Sequence, residues 1–213
     1  MTQPRFITLE GGEGAGKSTQ ARLLAKRLEG LGYEVVLTRE PGGSPGAEAI
    51  RQLLVTGETD RWTARTEALL HFAAREDHLA RTIRPALARG AWVISDRFVD
   101  STFAYQGIAQ GLGEAAIKTL SALVIGEDMP ALTLILDLPV DLGLSRAHRR
   151  AGADNSAEDR YERMDTTFHQ TLRNAFLSIA HTEPQRCVVI DAASDTDDVA
   201  RQIWHSVTSR LVT

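Results

Sequence analysis

Short apolar runs alternate along the chain with longer segments in which apolar residues recur at helical spacing. Five runs are typical of strands buried on both faces of a sheet, at 6–9, 35–38, 92–95, 132–137 and 187–191. Helical spacing is clearest at 63–89, 113–125, 160–181 and 196–211. Pro85 predicts a kink or an end in the first of these helices. The alternation predicts an α/β fold with a parallel five-stranded sheet covered by helices on both faces.

The first apolar run leads directly into a glycine-rich loop at 11–18. Its sequence, Gly-Gly-Glu-Gly-Ala-Gly-Lys-Ser, fits the phosphate-binding pattern G-x-x-x-x-G-K-[ST] at each fixed position. Glycines let successive backbone N–H groups converge on phosphate oxygens, Lys17 brings a positive charge, and Ser18 offers a hydroxyl to Mg²⁺. A helical pattern follows, whose positive N-terminus points at the same phosphates. The predicted ATP-binding residues here are Gly11, Gly12, Glu13, Gly14, Ala15, Gly16, Lys17, Ser18 and Thr19.

Composition and charge narrow the class of protein. The 213 residues, 43% of them hydrophobic, suffice for one domain with a substantial core. A formal net charge of −4 argues against a broad basic surface for nucleic acid. The single cysteine, Cys187, lies in an apolar run and is expected to be a buried reduced thiol, which excludes a disulfide framework. Without a leader or an apolar stretch of membrane-spanning length, we expect a cytoplasmic protein with no membrane partner.

Charged residues follow several of the predicted strands. Arg39 follows the second strand and Asp96-Arg97 follows the third. Ligands bind beyond the carboxyl ends of parallel strands, so these side chains are expected near the glycine-rich loop. The two arginines either form structural ion pairs with Glu40 and Asp96 or bind a second anionic group, which arginine grips with two N–H donors. Ser18 and Asp96 are predicted to hold Mg²⁺, partly through water.

The remaining motifs select among phosphate-binding-loop proteins. The chain has no guanine-reading N-K-x-D stretch, and Asp96 is followed by Arg97 rather than by a second acidic residue. This disfavours a GTPase and a motor-type ATPase. Extra arginines at strand ends suit phosphoryl transfer to a second phosphorylated molecule, which depends on positioning and charge neutralisation.

Ordered blocks of sequence resemble those of bacterial thymidylate kinases. The blocks are 6–20, Thr-Arg-Glu-Pro-Gly-Gly at 38–43, His-Phe-Ala-Ala-Arg at 71–75, Asp-Arg-Phe at 96–98 and Ser-Thr-Phe-Ala-Tyr-Gln-Gly at 101–107. The resemblance implies a three-layer P-loop kinase domain over 1–213 that transfers phosphoryl from ATP to dTMP with Mg²⁺. It also implies a homodimer and a small lid at about 146–160.

The resemblance further implies roles in an acceptor site. Phe72 would stack on thymine, Arg75 would bind its O4, and Gln106 its N3–H edge, with Ser101 or Thr102 adding a hydroxyl. Tyr105 would close over the sugar, and Glu13 would contact the sugar or metal-bound water. The acceptor phosphate would be bound by Arg39 and Arg97, with Arg51 a weaker candidate.

The residues by themselves leave alternatives open at several of these positions. Phe72 belongs to an apolar stripe with Leu69, Leu79 and Ile83 that also suits a core. Ser101 and Thr102 are equally suited to cap a helix, Tyr105 to a structural role, and Glu13 to solvent exposure.

Arginines of the predicted lid complete the candidate machinery. Arg146, Arg149 and Arg150 share one helix face, which is either a solvated surface or a phosphate-facing one. In the family, one group carries a catalytic arginine where this chain has Gly14, and another carries it in the lid. The resemblance therefore implies a catalytic lid arginine, first Arg149, with Arg146 and Arg150 as ATP-binding alternates. The implied catalytic set is Lys17, Arg97, Arg149 and Glu13, and no role is attached to His71 or Phe98.

Two other functions are compatible with the sequence. One is a kinase for another deoxynucleotide or a deoxynucleoside. The other is a non-catalytic P-loop module that only binds nucleotide, which the lid arginines disfavour because a binder has no developing charge to neutralise.

Overall fold

A computed structural model describes residues 5–154 and 160–212, with the backbone alone for 150–154. Within the described residues, five strands form one parallel sheet in the order β2-β3-β1-β4-β5. The strands are β1 Phe6–Glu10, β2 Val35–Arg39, β3 Trp92–Asp96, β4 Leu132–Asp137 and β5 Cys187–Asp191. The predicted α/β class and all five predicted strands are confirmed, each strand within one residue at either end.

Helices connect the strands and cover both faces of the sheet. They are α1 Lys17–Gly30, α2 Pro45–Val55, α3 Ala64–His78, α4 Arg84–Ala88, α5 Val99–Thr102, α6 Glu114–Val124, α7 Val140–Asp154, α8 Thr166–Thr182 and α9 Thr196–Leu211. Two π-helical segments, Leu79–Ile83 and Phe103–Ala109, continue α3 and α5. Among the described helices, none combines the length and apolar character that crossing a bilayer requires.

Two predicted helices differ from those observed. The helix at 63–89 changes to π-helical geometry at Leu79–Ile83, ahead of Pro85, which then occupies the first turn of α4, where its missing N–H is tolerated. The helix predicted from residue 160 begins at Thr166, because the Asp165 carboxylate accepts the Phe168 N–H at 2.8 Å and caps it.

Alternate residues of the central strands bury against opposite layers. Ile7 and Leu9 of β1 pack with α1 and α9, whereas Phe6 packs with α3 and α6. In β3, Ile94 and Val93 divide in the same way. Burial on both faces explains why these strands are continuous apolar runs rather than alternating ones.

The register of the sheet brings the charged strand ends together. In the strand register, Leu9 of β1 lies level with Asp96 of β3, and Arg39 of β2 lies level with Asp96 on the opposite side of β3. At the end of β1 the chain turns tightly, and a Cβ on Gly11 would lie 2.4 Å from the Leu136 carbonyl oxygen. The glycine-rich loop therefore emerges directly beside the ends of β2 and β3.

Candidate active site

A cleft of about 410 Å³ opens at the carboxyl ends of β1, β2 and β3. One wall is the glycine-rich loop, and the other is formed by α3 and the segment that follows β3. The predicted site residues that line it are Glu13, Gly14, Ala15, Gly16, Lys17, Ser18, Thr19, Arg39, Arg51, Asp96, Arg97, Ser101, Tyr105 and Gln106. Residues predicted from the glycine-rich loop and residues predicted from the later motifs thus line the same cavity.

The glycine-rich loop has the backbone conformation that its sequence predicts. Gly14 and Gly16 have φ values of 68° and 86°, which favour glycine. Lys17 folds back onto the loop, and its Nζ donates to the Gly11 and Gly12 carbonyls at 3.1 and 2.8 Å. Burial, followed by the charge of Arg97, lowers the pKa of Lys17 to about 8. An anionic ligand at the loop would restore the ordinary preference of this amine for its charged form.

Ser18 and Asp96 lie side by side at the start of α1 and the end of β3. The Ser18 hydroxyl donates to the Asp96 carboxylate. A hydroxyl and a carboxylate oxygen beside a phosphate loop are the donors that Mg²⁺ takes together with water and phosphate oxygens. The described residues contain no group of three or more His, Cys, Asp or Glu side chains suited to a metal. Ser18 and Asp96 therefore fit a magnesium ion whose other ligands are phosphate oxygens of the bound nucleotide and water.

Arg97 connects the two walls of the cleft. Its φ of 72° places it in the left-handed region, and its Nη2 donates to Glu13 at 2.8 Å. The Tyr105 hydroxyl donates to the same Glu13 oxygen at 2.7 Å. Glu13 therefore faces into the cleft, and the alternative of a solvent-exposed carboxylate is wrong.

A buried carboxylate at the end of β1 fixes the turn that carries Arg97. Glu10 accepts the Phe98 N–H at 2.7 Å and the Ser101 hydroxyl at 2.6 Å. Burial, followed by the nearby Asp100 carboxylate, raises the pKa of Glu10 to about 8. Ser101 also accepts from Arg97 Nη1 at 3.1 Å, so its hydroxyl holds the arginine rather than capping a helix.

Arg39 and Arg51 lie at the outer rim of the cleft. Arg39 pairs with Glu48 at 3.0 Å, so it does form a structural ion pair, although with a carboxylate other than the two expected. Arg51 donates to the Pro41 carbonyl at 2.8 Å. Both cations remain beside the cleft, where an anionic group would meet them.

On α3, the aromatic ring that lines the cleft belongs to His71, and the prediction for Phe72 is wrong. Phe72 is 2% exposed and packs in the apolar cluster beneath the wall with Leu79 and Ile83. Leu69, expected in the same stripe, is 52% exposed. Burial, followed by the charge of Arg75, lowers the pKa of His71 to about 3, so its ring is neutral.

A run of polar residues at helical spacing would have revealed this face of α3. Glu67, His71, Arg75 and His78 recur at intervals of four, four and three. None of the four suits the apolar stripe, and together they form the polar side of the helix toward the cleft. Only Arg75 of these was predicted to function.

Arg75 lies behind the wall in a buried network. Its Nε donates to Glu40 at 2.8 Å and its Nη2 to the Thr102 hydroxyl at 3.1 Å, while its Nη1 is buried with no hydrogen-bond partner among the described residues. His78 lies 3.0 Å from the other Glu40 oxygen. Thr102 is 1% exposed, and its hydroxyl supports Arg75, so its contact with ligand stays a prediction.

The predicted lid is described in part. Arg146 donates to the Ala192 carbonyl at 2.9 Å, in the loop after β5, and Arg149 is exposed, with its Nε 3.4 Å from the Ser145 carbonyl. The side chain of Arg150 and residues 155–159 lie outside the described residues. Arg160, at the far end of the lid, is fully buried and forms no part of an exposed cationic face.

Comparisons with known proteins agree on one family. The family model described as thymidylate kinase matches residues 9–203. A thymidylate kinase from Caulobacter vibrioides is 56% identical over 211 residues, covering 99% of each chain, and one from Rhizorhabdus wittichii is 52% identical over 97% of this chain and 98% of its own. A crystal structure of thymidylate kinase from Ehrlichia chaffeensis superposes with a TM-score of 0.76 at 35% identity, over 95% of this chain and 97% of that one.

Proposed function

The chain belongs to the thymidylate kinase family, and we propose how its cleft phosphorylates dTMP with ATP. The enzyme is a nucleoside monophosphate kinase that forms dTDP and ADP. The observation that carries the assignment of roles is the contact of Glu13 with Arg97 and Tyr105. It joins the glycine-rich loop at 11–18, here called the donor loop, to the wall formed by α3 and the segment that follows β3, here called the acceptor wall, within one cavity.

The glycine-rich loop binds the ATP phosphates. Its backbone N–H groups cradle the phosphate oxygens, and Lys17 leaves the loop carbonyls to neutralise the β- and γ-phosphates. Ser18 and Asp96 would hold Mg²⁺, which would supply neutralising charge for the donor phosphates.

Arg97 binds the 5′-phosphate of dTMP and presents it to the γ-phosphoryl group. Its guanidinium is held by Glu13, Gly11 and Ser101, so the cation is oriented before the substrate arrives. Arg39 and Arg51 add positive charge from the rim. An acceptor phosphate oxygen is already a nucleophile at neutral pH, so transfer needs alignment and charge stabilisation rather than a protein base.

The acceptor wall recognises the base. The neutral ring of His71 lines the cleft and offers a stacking surface for thymine. Buried Arg75 Nη1 lacks a partner among the described residues, and a carbonyl oxygen such as thymine O4 is the acceptor it needs. Tyr105 closes the sugar end, and its hydroxyl on Glu13 leaves little room for a 2′-hydroxyl.

Arg149 supplies the mobile charge for the transferring phosphoryl group. It is exposed on α7, whereas Arg146 is already engaged by the loop after β5 and is suited to the nucleoside part of ATP. Movement of Arg149 toward the loop at 11–18 would place its charge at the phosphates and help to exclude water, which competes as an acceptor.

We also propose that the protein acts as a cytoplasmic homodimer. Two large apolar side chains, Leu69 on α3 and Leu123 on α6, are 52% and 81% exposed on helices that contact each other. Sedimentation should show a dimer for the wild type and a monomer for Leu123→Asp. A monomeric wild type would contradict the dimer without affecting the assignment of the reaction.

A coupled ADP-release assay tests the function with dTMP, dUMP, dCMP and thymidine as acceptors. We expect the highest kcat/KM with dTMP and no turnover with thymidine, which has no phosphate for Arg97. Preference for another acceptor would identify the rival kinase, and ATP binding without any turnover would identify a nucleotide-binding module.

A further inference from the structure

Glu67, on the first turn of α3, is a carboxylate that none of the roles above uses. It is 0% exposed, and its two oxygens accept four donors. Oε2 accepts from Gln106 Nε2 at 2.9 Å, Gln110 Nε2 at 2.8 Å and the Tyr161 hydroxyl at 3.1 Å. Oε1 accepts from Arg160 Nη2.

The ion pair with Arg160 fixes this carboxylate in place. Arg160 is itself fully buried, and three of its other donors are taken by the carbonyls of Glu58, Leu54 and Thr59, at 2.8, 3.1 and 2.8 Å. Neither partner can rotate without leaving a buried charge unpaired, which is strongly destabilising. The Glu67–Arg160 ion pair therefore holds Glu67 in one orientation.

The chemistry of a carboxylate dictates the orientation of Gln106. An ionised carboxylate accepts hydrogen bonds and cannot donate, so it takes the amide NH₂ of Gln106. Gln106 lines the cleft, and its carbonyl Oε1 is the group left for the substrate. A glutamine without such a partner presents either end of its amide.

His71 joins the same network through Tyr161. Its Nε2 lies 3.3 Å from the Tyr161 hydroxyl, which donates to Glu67. Since that hydroxyl has its proton on Glu67, it accepts from His71 Nε2–H, and one neutral tautomer of His71 is selected. Glu67 thus orients two groups of the acceptor wall.

We infer that Glu67 is a positioning residue that sets the base preference of the acceptor site by fixing Gln106 with its carbonyl toward the base. The inference rests on the proposed function. Thymine carries an N3–H donor that meets this carbonyl, whereas cytosine carries an N3 lone pair that is repelled by it. The preference for a pyrimidine with N3–H therefore depends on the buried Glu67, which itself does not contact the base.

Glu67→Gln tests the inference at nearly constant shape. The new amide keeps its oxygen on Arg160 and turns its NH₂ toward Gln106, so two donors meet and Gln106 turns over. The ratio of dCMP Ki, measured as a competitive inhibitor, to dTMP KM should fall by about 10- to 100-fold, the effect of one reversed buried hydrogen bond. An unchanged ratio would overturn the inference.

A swapped pair separates positioning from stability. In Glu67→Gln with Gln106→Glu, the amide at 67 donates to the carboxylate at 106, whose second oxygen again faces the base as an acceptor. Selectivity should return to within about threefold of the wild type, a difference of under 1 kcal/mol. Failure of the swap to restore selectivity beyond the level of Glu67→Gln would also overturn the inference.

Asp137→Asn is the matched control for loss of a carboxylate ion pair. Asp137 binds Arg173 through two hydrogen bonds of 2.7 and 2.8 Å, and neither residue lines the cleft. It should lower the melting temperature without changing the selectivity ratio. An equal loss of selectivity in this variant would show that stability alone sets the ratio.

A measurement on the unaltered protein stands whether or not the variants fold. The Gln106 side-chain NH₂ protons, followed by nitrogen-15 NMR, should exchange slowly with solvent both before and after dTMP saturates the site. Fast exchange would overturn the inference. Failure of the wild type to phosphorylate dTMP would instead refute the proposed function, so the two failures are distinguishable.

Discussion

At the scale of the residue, the cleft is a set of charges that already hold one another in place. Glu13 is paired with Arg97, Glu40 with Arg75, and Glu67 with Arg160. A buried charge without a partner is costly, so each pair keeps its cation oriented before a phosphate or base arrives. Preorganisation of this kind favours transfer because little rearrangement remains for the reacting complex.

Replacing His71 should affect the acceptor specifically. In His71→Ala the base loses its stacking surface, and KM for dTMP should rise by about 5- to 100-fold, the range of one base–aromatic contact, with little change in KM for ATP. Steady-state kinetics with each substrate varied would measure both. Phe72→Leu is the control, because that ring lies in the core and its loss should lower the melting temperature instead. The opposite pattern would restore Phe72 as the stacking residue.

The pKa of His71 predicts a pH dependence of stability. The folded pKa of about 3 lies below the ordinary value of 6.5, so between these values the unfolded chain binds a proton that the folded chain does not. His71 should therefore lower the free energy of unfolding as the pH is lowered from 6.5, by at most about 1.4 kcal/mol per pH unit. The raised pKa of Glu10 contributes with the opposite sign, so the effect of His71 is seen by comparison with a variant.

Urea unfolding at pH 7 and pH 5 measures this contribution. On going from pH 7 to pH 5, the change in the free energy of unfolding should be more negative for the wild type than for His71→Phe. His181→Phe, which alters an exposed histidine on α8, should follow the wild type. Equal losses in wild type and His71→Phe would show that His71 does not titrate in this way.

The sequence predicted that the polar residues of the loop and strand ends lie together, but not which aromatic ring of α3 faces the cleft. Local spacing is sufficient to define the donor loop, because its fixed positions supply the glycines, Lys17 and Ser18 that bind phosphate oxygens and the metal. The choice between His71 and Phe72 depends on the rotation of α3 against the sheet. That rotation is set by packing with residues far along the chain, among them Phe6 and Ile117.

At the scale of the element, the donor loop and α7 meet through two glycines. A Cβ on Gly14 would lie 2.0 Å from the Gly143 carbonyl oxygen, and a Cβ on Gly143 would lie 2.6 Å from the Glu13 carbonyl oxygen. The contact explains why this chain has no room for an arginine at position 14. It also fixes the position of α7, which carries Arg146 and Arg149, relative to the loop at 11–18.

Gly143→Ala should therefore act through the position of α7. We expect kcat to fall on the order of 10- to 100-fold, as for a catalytic group displaced by about 1 Å. Gly30→Ala is the control, because a Cβ there meets nothing within 4 Å. Full activity of Gly143→Ala would show that α7 tolerates displacement.

Arg149→Ala should remove charge from the transition state alone. A decrease in kcat on the order of 10³-fold is expected, the effect of losing an arginine at a transferring phosphoryl group, with KM for dTMP nearly unchanged. Arg146→Ala should instead raise KM for ATP, because Arg146 contacts the loop after β5. A loss of dTMP binding without a loss of rate in Arg149→Ala would refute its catalytic role.

All five strands were predictable within one residue, because each is a continuous apolar run. Burial on both faces accounts for that run in β1, β3 and β4, whereas the edge strands β2 and β5 are partly exposed. The π-helical segment at Leu79–Ile83 could not be predicted from the sequence. It depends on one additional residue in a helix whose apolar spacing is otherwise ordinary. Such a change in pitch is determined by tertiary packing rather than by local sequence.

At the scale of the whole molecule, one sheet register unites motifs that lie far apart in the chain. The ends of β1, β2 and β3 are neighbours, so the donor loop, Arg39 and Arg97 converge although almost 90 residues separate the first from the last. Fold and reaction class were therefore predictable from the motifs. The buried carboxylates Glu10, Glu40 and Glu67 were not, because their roles arise only when separate segments pack together.

A crystal structure with a bisubstrate analogue, thymidine and adenosine joined through their 5′ positions by a polyphosphate, tests the two-nucleotide cleft most directly. We predict thymine against the His71 ring with its N3–H on Gln106 Oε1, the acceptor-side phosphate on Arg97, and the donor phosphates in the loop at 11–18. Thymine bound away from α3, or an acceptor phosphate out of reach of Arg97, would contradict the proposed site.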